Sequence, residues 1–240
     1  MSMPMNAAII VAAGQGSRMG GALSKQYLPL GGAPILRRTL DAFIHSTLFD
    51  DIIVVVAAAD MAYCRQHIIE GLPQALSLRL VAGGRERQES VFNGLEALDG
   101  QDDDAVLIHD GVRPFVSAET LARCLEAVHL HGAGILAVPV RDTLKVADED
   151  GCFGKTVNRA GIWQAQTPQG FRLCLIREAH RRAREENFCG TDDAQLVERL
   201  GQRVMIVAGQ RTNIKITTPE DLMLAEAIWR HGGGGLPGAV

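Results

Sequence analysis

The residues best equipped for chemistry lie far apart in the chain. The first set is Ala12-Ala13-Gly14-Gln15-Gly16-Ser17-Arg18-Met19, followed shortly by Lys25. Glycine lets a backbone approach a ligand closely, so N–H groups around Gly14, Gly16 and Ser17 can point at anionic oxygens. Arg18 and Lys25 add positive charge beside them. Such a loop suits a polyphosphate, with a plain Gly-rich turn as the alternative. Two better-known phosphate loops do not match it. Met19 stands where the dinucleotide pattern G-x-G-x-x-G needs its third glycine. Asp41 and Asp60 are misplaced for the acidic ribose ligand expected roughly 20 residues on. The P-loop is excluded here as well, since no glycine of this loop is followed by lysine.

A second set is Ile108-His109-Asp110-Gly111-Val112-Arg113-Pro114-Phe115. An aspartate at the carboxyl end of a buried strand, followed by a glycine turn, is well placed for Mg²⁺, which takes one or two carboxylates plus substrate phosphates. Asp110 could equally cap the following helix or pair with Arg113. His109 has no second His or Cys at metal spacing, so a structural role is expected. The third set is Asn213-Ile214-Lys215-Ile216-Thr217-Thr218-Pro219-Glu220-Asp221. Lys215 reads as part of a short apolar strand, where it either meets an anion or faces water from an edge. Weaker signals are Gly83-Gly84 with Arg85 and Ser90, where backbone groups could read a base or ribose, and Thr191-Asp192-Asp193, which opens a helix. Thr143 and Arg159 read by themselves as surface residues, and Arg177–Arg184 as a solvated helix face.

The elements that must position these residues alternate along the chain. Ala8–Val11, Ile52–Val56, Leu78–Val81, Val106–Ile108, Ile135–Val138 and Val204–Val207 are apolar on both faces, as buried parallel strands are. Helices are predicted at Pro34–His45, Asp60–Glu70, Glu86–Leu98, Ala118–His131, Leu173–Glu185, Asp192–Leu200 and Pro219–Trp229. Pro34 and Pro219 suit a first helical turn, and Thr218 an N-cap. The pattern is that of a Rossmann-like α/β fold, a mostly parallel sheet flanked by helices. From Arg141 to Gly161 the rhythm breaks. Thr143–Ala147 and Lys155–Asn158, around the turn Asp148-Glu149-Asp150-Gly151, predict a projecting β-hairpin arm. A long hairpin cannot bury itself alone, so a second subunit is expected against it. Residues 1–231 are read as a single domain and the Gly-rich tail 232–240 as frayed.

Composition narrows the function. The 240 residues are 47% hydrophobic and 22% charged, with net charge −4. No basic patch argues for nucleic acid, so an anionic substrate must be met by local cations. No apolar run reaches the roughly 18 residues that span a membrane. The start lacks a cationic leader segment, so no export signal is expected. The cysteines number five, with no C-x-x-C pair, which argues against zinc or disulfides and for thiols in a reducing cytoplasm.

Taken together, these and neighbouring segments carry a resemblance. Ala12–Met19, Lys25-Gln26-Tyr27, Gly83-Gly84-x-x-Arg87, His109-Asp110-x-x-Arg113-Pro114-Phe115, Arg141-Asp142-Thr143, Gln166-Thr167-Pro168-Gln169, Thr191-Asp192-Asp193 and Asn213–Thr217 resemble 2-C-methyl-D-erythritol 4-phosphate cytidylyltransferases, in that family's order and over nearly the whole chain. The resemblance implies transfer of CMP from CTP to 2-C-methyl-D-erythritol 4-phosphate, with release of pyrophosphate, in the non-mevalonate route to isoprenoids. The acceptor phosphate would attack the α-phosphorus in line, so catalysis would be mainly positioning and charge neutralisation. It implies that Arg18 and Lys25 hold the triphosphate, that Lys215 acts from the α-phosphate side, and that Asp110 binds Mg²⁺. Ala12, Ala13, Gly14, Gly16, Ser17, Gly84, Ser90, Asp110 and Gly111 would surround the nucleotide. Arg113, Thr143, Arg159 and Thr191 would bind the acceptor. The arm would exchange across a homodimer, bringing Thr143 and Arg159 to the neighbour's site. Gly111-Val112 stand where the family often has two alanines, and Arg85 where it often has aspartate. No fused cyclodiphosphate synthase is expected after Trp229. A ribitol-5-phosphate cytidylyltransferase shares much of the pattern. A Rossmann-type NAD-dependent oxidoreductase and a non-catalytic nucleotide-binding regulator are the readings from other classes.

Overall fold

The structure is a computed structural model and describes residues 4–14, 24–73 and 77–233. Strand β1 (Asn6–Ala12) leads to a small hairpin, β2 (Pro29–Leu30) with β3 (Ala33–Pro34), and to helix α1 (Ile35–Ser46). Then come β4 (Asp51–Val56), α2 (Met61–Cys64), β5 (Ser77–Ala82), α3 (Arg87–Glu96), β6 (Ala105–Asp110), α4 (Ala118–His131) and β7 (Ala133–Pro139). The arm is β8 (Leu144–Ala147) with β9 (Phe153–Val157). The chain returns through β10 (Trp163–Arg172), α5 (Leu173–Glu185), α6 (Asp193–Arg199), β11 (Met205–Ala208) and α7 (Pro219–Ile228).

The main sheet has the order β11-β7-β10-β6-β1-β4-β5. β1 pairs in parallel with β4 and β6, β4 with β5, and β11 with β7. Helices cover both faces, which explains why β4 and β6 are buried along their whole length. Alternate residues of β1 serve the two layers. Ala8 and Ile10 join Leu36, Phe43, Leu121 and Leu125 on one face, whereas Ala7 and Ile9 join Val91, Leu95, Ile176 and Leu196 on the other. Each such aliphatic side chain contributes roughly 1.5–3 kcal/mol by leaving water. The Rossmann-like architecture is therefore as the sequence predicts.

The structure corrects the reading in several places. β10 was not expected. Its sequence is polar, and Pro168 lacks the N–H that a central strand donates. Yet β10 lies in the middle of the sheet, antiparallel to both β6 and β7. A register shift between Ala165 and Gln169 accommodates the proline, and the buried Gln166, Thr167 and Gln169 each find polar partners. Asp60–Glu70 is not one helix. A 3-10 turn, the short α2 and a wider turn over Arg65–Ile69 replace it, and Asp60 makes no capping bond to start a regular helix. Pro34 ends β3, just before α1, and is not in the first turn of that helix. Thr218 and Asp221 do form a capping box, with Pro219 in the first turn of α7. Asn213–Thr217 is not a strand. Asn213 and Ile214 N–H donate locally to Gln210 O and Thr212 O, Ile216 N–H to Val112 O and Thr217 N–H to the Asp221 carboxylate, so no ladder forms. Arg177–Arg184 is only partly solvated: Arg177 donates to Leu95, Leu98 and Gly100 carbonyls, and His180 is buried.

The arm is a hairpin with strands slightly shifted from the expected ones. Asp148 and Cys152 close its turn by exchanging backbone and side-chain bonds. None of the residues 141–161 is fully buried, and Phe153 is 79% exposed.

Candidate active site

In an open α/β sheet the carboxyl ends of parallel strands are where ligands bind. Here β1 ends at Ala12, β5 at Ala82 and β6 at Asp110. The loops that follow meet Lys25 and Lys215 around a cleft of about 180 Å³, lined by Ala12, Ala13, Gly14, Gly84, Arg87, Ser90 and Asp110. The wall is close-packed. A Cβ on Gly83 would clash with Ala13 Cβ and lie 2.8 Å from Ser90 Oγ. Ser90 Oγ accepts from Gly84 N–H and donates to Glu86 O. Gln26, itself buried, donates to Ala12 O and so ties the Lys25–Tyr27 turn to the end of β1. Gly111 lies beneath the cleft, where a Cβ would meet Ala12 Cβ at 2.9 Å and Leu36 Cδ1 at 3.0 Å. A larger residue there would have to push these side chains aside.

Lys215 owes its place to its neighbours. Ile216 is fully buried with Leu30, Ile35, Val112, Phe115 and Ala225, and its N–H donates to Val112 O. Arg113 Nη1 donates to Asn213 O, and Asn213 Nδ2 to Thr167 O. These bonds hold the loop so that Lys215 Nζ lies 3.0 Å from Asp110 Oδ2. Arg113 Nε reaches the same oxygen at 3.2 Å, and Arg87 Nε approaches Oδ1 at 3.4 Å. Burial alone would raise the Asp110 pKa, but Lys215, Arg87 and Arg113 outweigh it and hold the carboxyl well below the usual range. The site therefore contains an ionised carboxylate inside a larger positive field.

His109 is structural, as expected. Its Nε2 meets Arg113 O at 3.0 Å, so that nitrogen carries the proton, and Nδ1 accepts from Thr167 Oγ1 at 3.1 Å. Thr167 Oγ1 in turn accepts from Asp110 N–H. Burial drives the His109 pKa down to about 4, keeping the ring neutral.

The structure brings most of the expected residues together. Arg113 borders a second cleft of about 290 Å³, with Gln164, Gln166 and Asn213, which meets the first at Lys215. Thr191 is exposed at the start of α6 and bonds to Gln195. Thr143 and Arg159 are exposed on the arm and line neither cleft. Gly16, Ser17 and Arg18 lie outside the described residues. Of the two sequence readings of Asp110 without a metal, the helix cap is wrong: Ser117 caps α4, and Asp110 pairs with Arg113. Sequence reasoning assigned no role to Arg87 or Thr167 and only helix opening to Asp193, although all three stand in motifs that carried the resemblance.

The model of the family 2-C-methyl-D-erythritol 4-phosphate cytidylyltransferase matches residues 6–231. The chain belongs to this family. A cytidylyltransferase of that name from Geobacter metallireducens is 51% identical over 223 residues, covering 92% of this chain and 96% of the relative. Among solved structures, 4-diphosphocytidyl-2C-methyl-D-erythritol synthase from Anaerococcus prevotii superposes with TM-score 0.82 at 36% identity, covering 95% of this chain and 99% of its own. The cytidylyltransferase from Thermus thermophilus gives TM-score 0.76 at 38% identity, covering 95% and 100%. The 2-C-methyl-D-erythritol 4-phosphate cytidylyltransferase family is one of nucleotidyltransferase enzymes, and this chain is a CTP-dependent cytidylyltransferase of isoprenoid biosynthesis. Membership sets aside the oxidoreductase and regulator readings. No described helix is long and apolar enough to cross a membrane.

Proposed function

We propose that the cleft carries out in-line transfer of the cytidylyl group of CTP to the phosphate of 2-C-methyl-D-erythritol 4-phosphate. The observation that carries this is the Asp110 carboxylate held among Lys215, Arg113 and Arg87, where two clefts meet. An oxygen of the acceptor phosphate forms a new bond to the α-phosphorus while the bond to the β-phosphate oxygen breaks, and pyrophosphate leaves. No protein nucleophile takes part. Both reactants are anions, so the protein's task is to bring them together and offset charge that develops at the α-phosphate.

Lys25, together with Arg18, holds the triphosphate in the first cleft. Lys215 borders both clefts, which suits contact with the α-phosphate and the incoming phosphate at once. Backbone groups of Ala12, Ala13, Gly14, Gly16, Ser17 and Gly84, with Ser90, surround the nucleoside and its phosphates, and Gly111 packs below. Arg113, which borders the second cleft, and Thr191 serve the acceptor. Among the described residues no group of three or more His, Cys, Asp or Glu side chains forms a metal cage. A single carboxylate still fits Mg²⁺ that is otherwise held by phosphates. Asp110 would hold it through Oδ1, whose contact is the longer one. Held there by Asp110, Mg²⁺ would supply charge screening for the triphosphate and for the pyrophosphate that leaves.

The acceptor half is completed by the arm of a second copy, which brings Thr143 and Arg159. The support is that both residues are exposed and that the arm carries the outward-facing apolar side chains Val146 and Phe153. Residues 1–231 act as one nucleotidyltransferase domain, a reading supported by the family match over 6–231. The enzyme works in the cytoplasm, in keeping with cysteines that are all free thiols. The test is pyrophosphate release by the purified chain with CTP, Mg²⁺ and 2-C-methyl-D-erythritol 4-phosphate. Turnover with that acceptor and little with ribitol 5-phosphate is expected; the reverse preference would reassign the acceptor site.

A further inference from the structure

Behind the cleft, a second carboxylate is buried out of reach of either substrate cleft. Asp193 is 1% exposed. It is the second residue of an acidic pair, and helix capping does not account for it. Asp192 does the capping, since its Oδ1 accepts from Gln195 N–H at 2.9 Å. A carboxylate buried this deeply is costly unless its oxygens are matched by donors. Those of Asp193 are divided between two partners. Oδ1 meets His180 Nε2 at 3.1 Å, and Oδ2 accepts from Arg87 Nη1 at 2.7 Å.

We propose that Asp193, braced by His180, is a positioning residue for the transfer: it holds the Arg87 guanidinium in the cleft wall and limits its pairing with Asp110. The guanidinium is planar and its donors form a rigid fork, so anchoring Nη1 sets the direction of Nε. Nε then meets Asp110 Oδ1 at 3.4 Å, a long contact. The anchor itself cannot follow Arg87. Asp193 N–H and Ala194 N–H donate to Gln169 Oε1, while Gln169 Nε2 donates to Asp192 Oδ2, which pins the start of α6 to β10. His180 fixes the other edge of the carboxylate from α5.

The consequence lies at Asp110. Its Oδ2 already receives Arg113 and Lys215, so Oδ1 is its less occupied oxygen. With Asp193 neutralised, Arg87 is free to close on Oδ1. It would then form a tighter ion pair there and withdraw from the wall that faces the nucleotide. Asp193 thus shares Arg87 between two carboxylates and keeps the one in the cleft open.

The inference rests on the proposed cytidylyl transfer and is tested in the full chain by a double-mutant cycle. Asp193→Asn keeps the size of the side chain and removes its charge. It is expected to lower kcat/KM for CTP by about 10–100-fold, the usual effect of losing a partner that orients a site ligand. CTP affinity by calorimetry should fall in parallel. In an Arg87→Lys background the same substitution should change kcat/KM by no more than about twofold, because the group it positions is already gone. Losses that multiply in the double variant would overturn the proposal, as would Asp193→Asn activity within about twofold of wild type. Should Asp193→Asn melt below the assay temperature, His180→Gln replaces it in the cycle. A smaller loss that vanishes with Arg87→Lys supports the positioning role, and a loss that persists refutes it. Wild-type chain that releases no pyrophosphate would instead defeat the functional reading.

Discussion

The cleft and the arm are built on opposite terms. Around Asp110 nearly every polar atom is committed: the carboxylate has Arg87, Arg113 and Lys215, the neighbouring His109 has Thr167 and Arg113 O, and Asp193 has Arg87 and His180. On the arm Thr143, Arg159 and Phe153 face water, and no residue from 141 to 161 is fully buried. A site that must offset phosphate charge has to hold its cations in advance, because reorganising them during reaction would cost what they contribute. An arm that reaches a second subunit, as proposed, cannot be rigidified by its own core. The contrast suggests a site assembled from a pre-formed nucleotide half and a borrowed acceptor half.

The largest effect is expected from removing charge in the cleft. Lys215→Ala, and likewise Lys25→Ala, should lower kcat by roughly 10²–10³-fold, the scale of one lost transition-state donor. Thermal melting should change far less, since Lys215 is only half-buried and Asp110 keeps Arg87 and Arg113 as partners. Steady-state pyrophosphate release decides, and near-wild-type turnover in both variants would place the reacting centre elsewhere.

Acid should affect the cleft region next. The unfolded His109 ring takes up a proton near pH 6.5, whereas the buried ring resists to about 4. The unfolded state therefore binds more protons in that window, so stability is full above pH 6.5 and falls as pH drops toward 4. The loss should reach about 3 kcal/mol. Urea midpoints at several pH values measure it, and a His109→Gln variant should show a flatter profile there. An equal slope in wild type and variant would assign the loss to other groups.

On the arm, Arg159→Ala should raise the acceptor KM by about 10-fold, as for a lost charged hydrogen bond, and leave the KM for CTP nearly unchanged. The sharper experiment mixes this variant with Lys215→Ala. If arms cross between subunits, each mixed dimer regains one site with both residues intact, and activity returns. No recovery on mixing would mean that the arm serves its own cleft.

The smallest change in folding stability is expected at Phe153. Phe153→Ser removes a largely exposed ring, so the fold should shift by no more than about 0.5 kcal/mol. If the proposed dimer forms through the arm, this variant's dimer should nevertheless dissociate at lower dilution in sedimentation experiments. Unchanged dissociation would remove the arm's apolar face from the interface.

Local physics alone determined much of this protein. Runs such as Ile52–Val56 are apolar on both faces only because helices cover both sides of a parallel sheet, and Thr218-Pro219 with Asp221 defines a helix start without help from the rest of the chain. Lys25, Asp110 and Lys215 were legible as candidates because a charge beside a glycine loop, a strand end or two isoleucines needs a partner wherever it lies. Tertiary structure decided which partner. β10 could not be read, since its burial comes from the strands beside it and its polar side chains are satisfied by residues distant in sequence. Asp193 looked like half of a helix cap until α5 and α3 were seen to place His180 and Arg87 against it. Periodicity reports what a segment buries, but ion pairing depends on which segments become neighbours. For that reason the cleft's residues could be named from the chain, while the network that tunes them appears only in the fold.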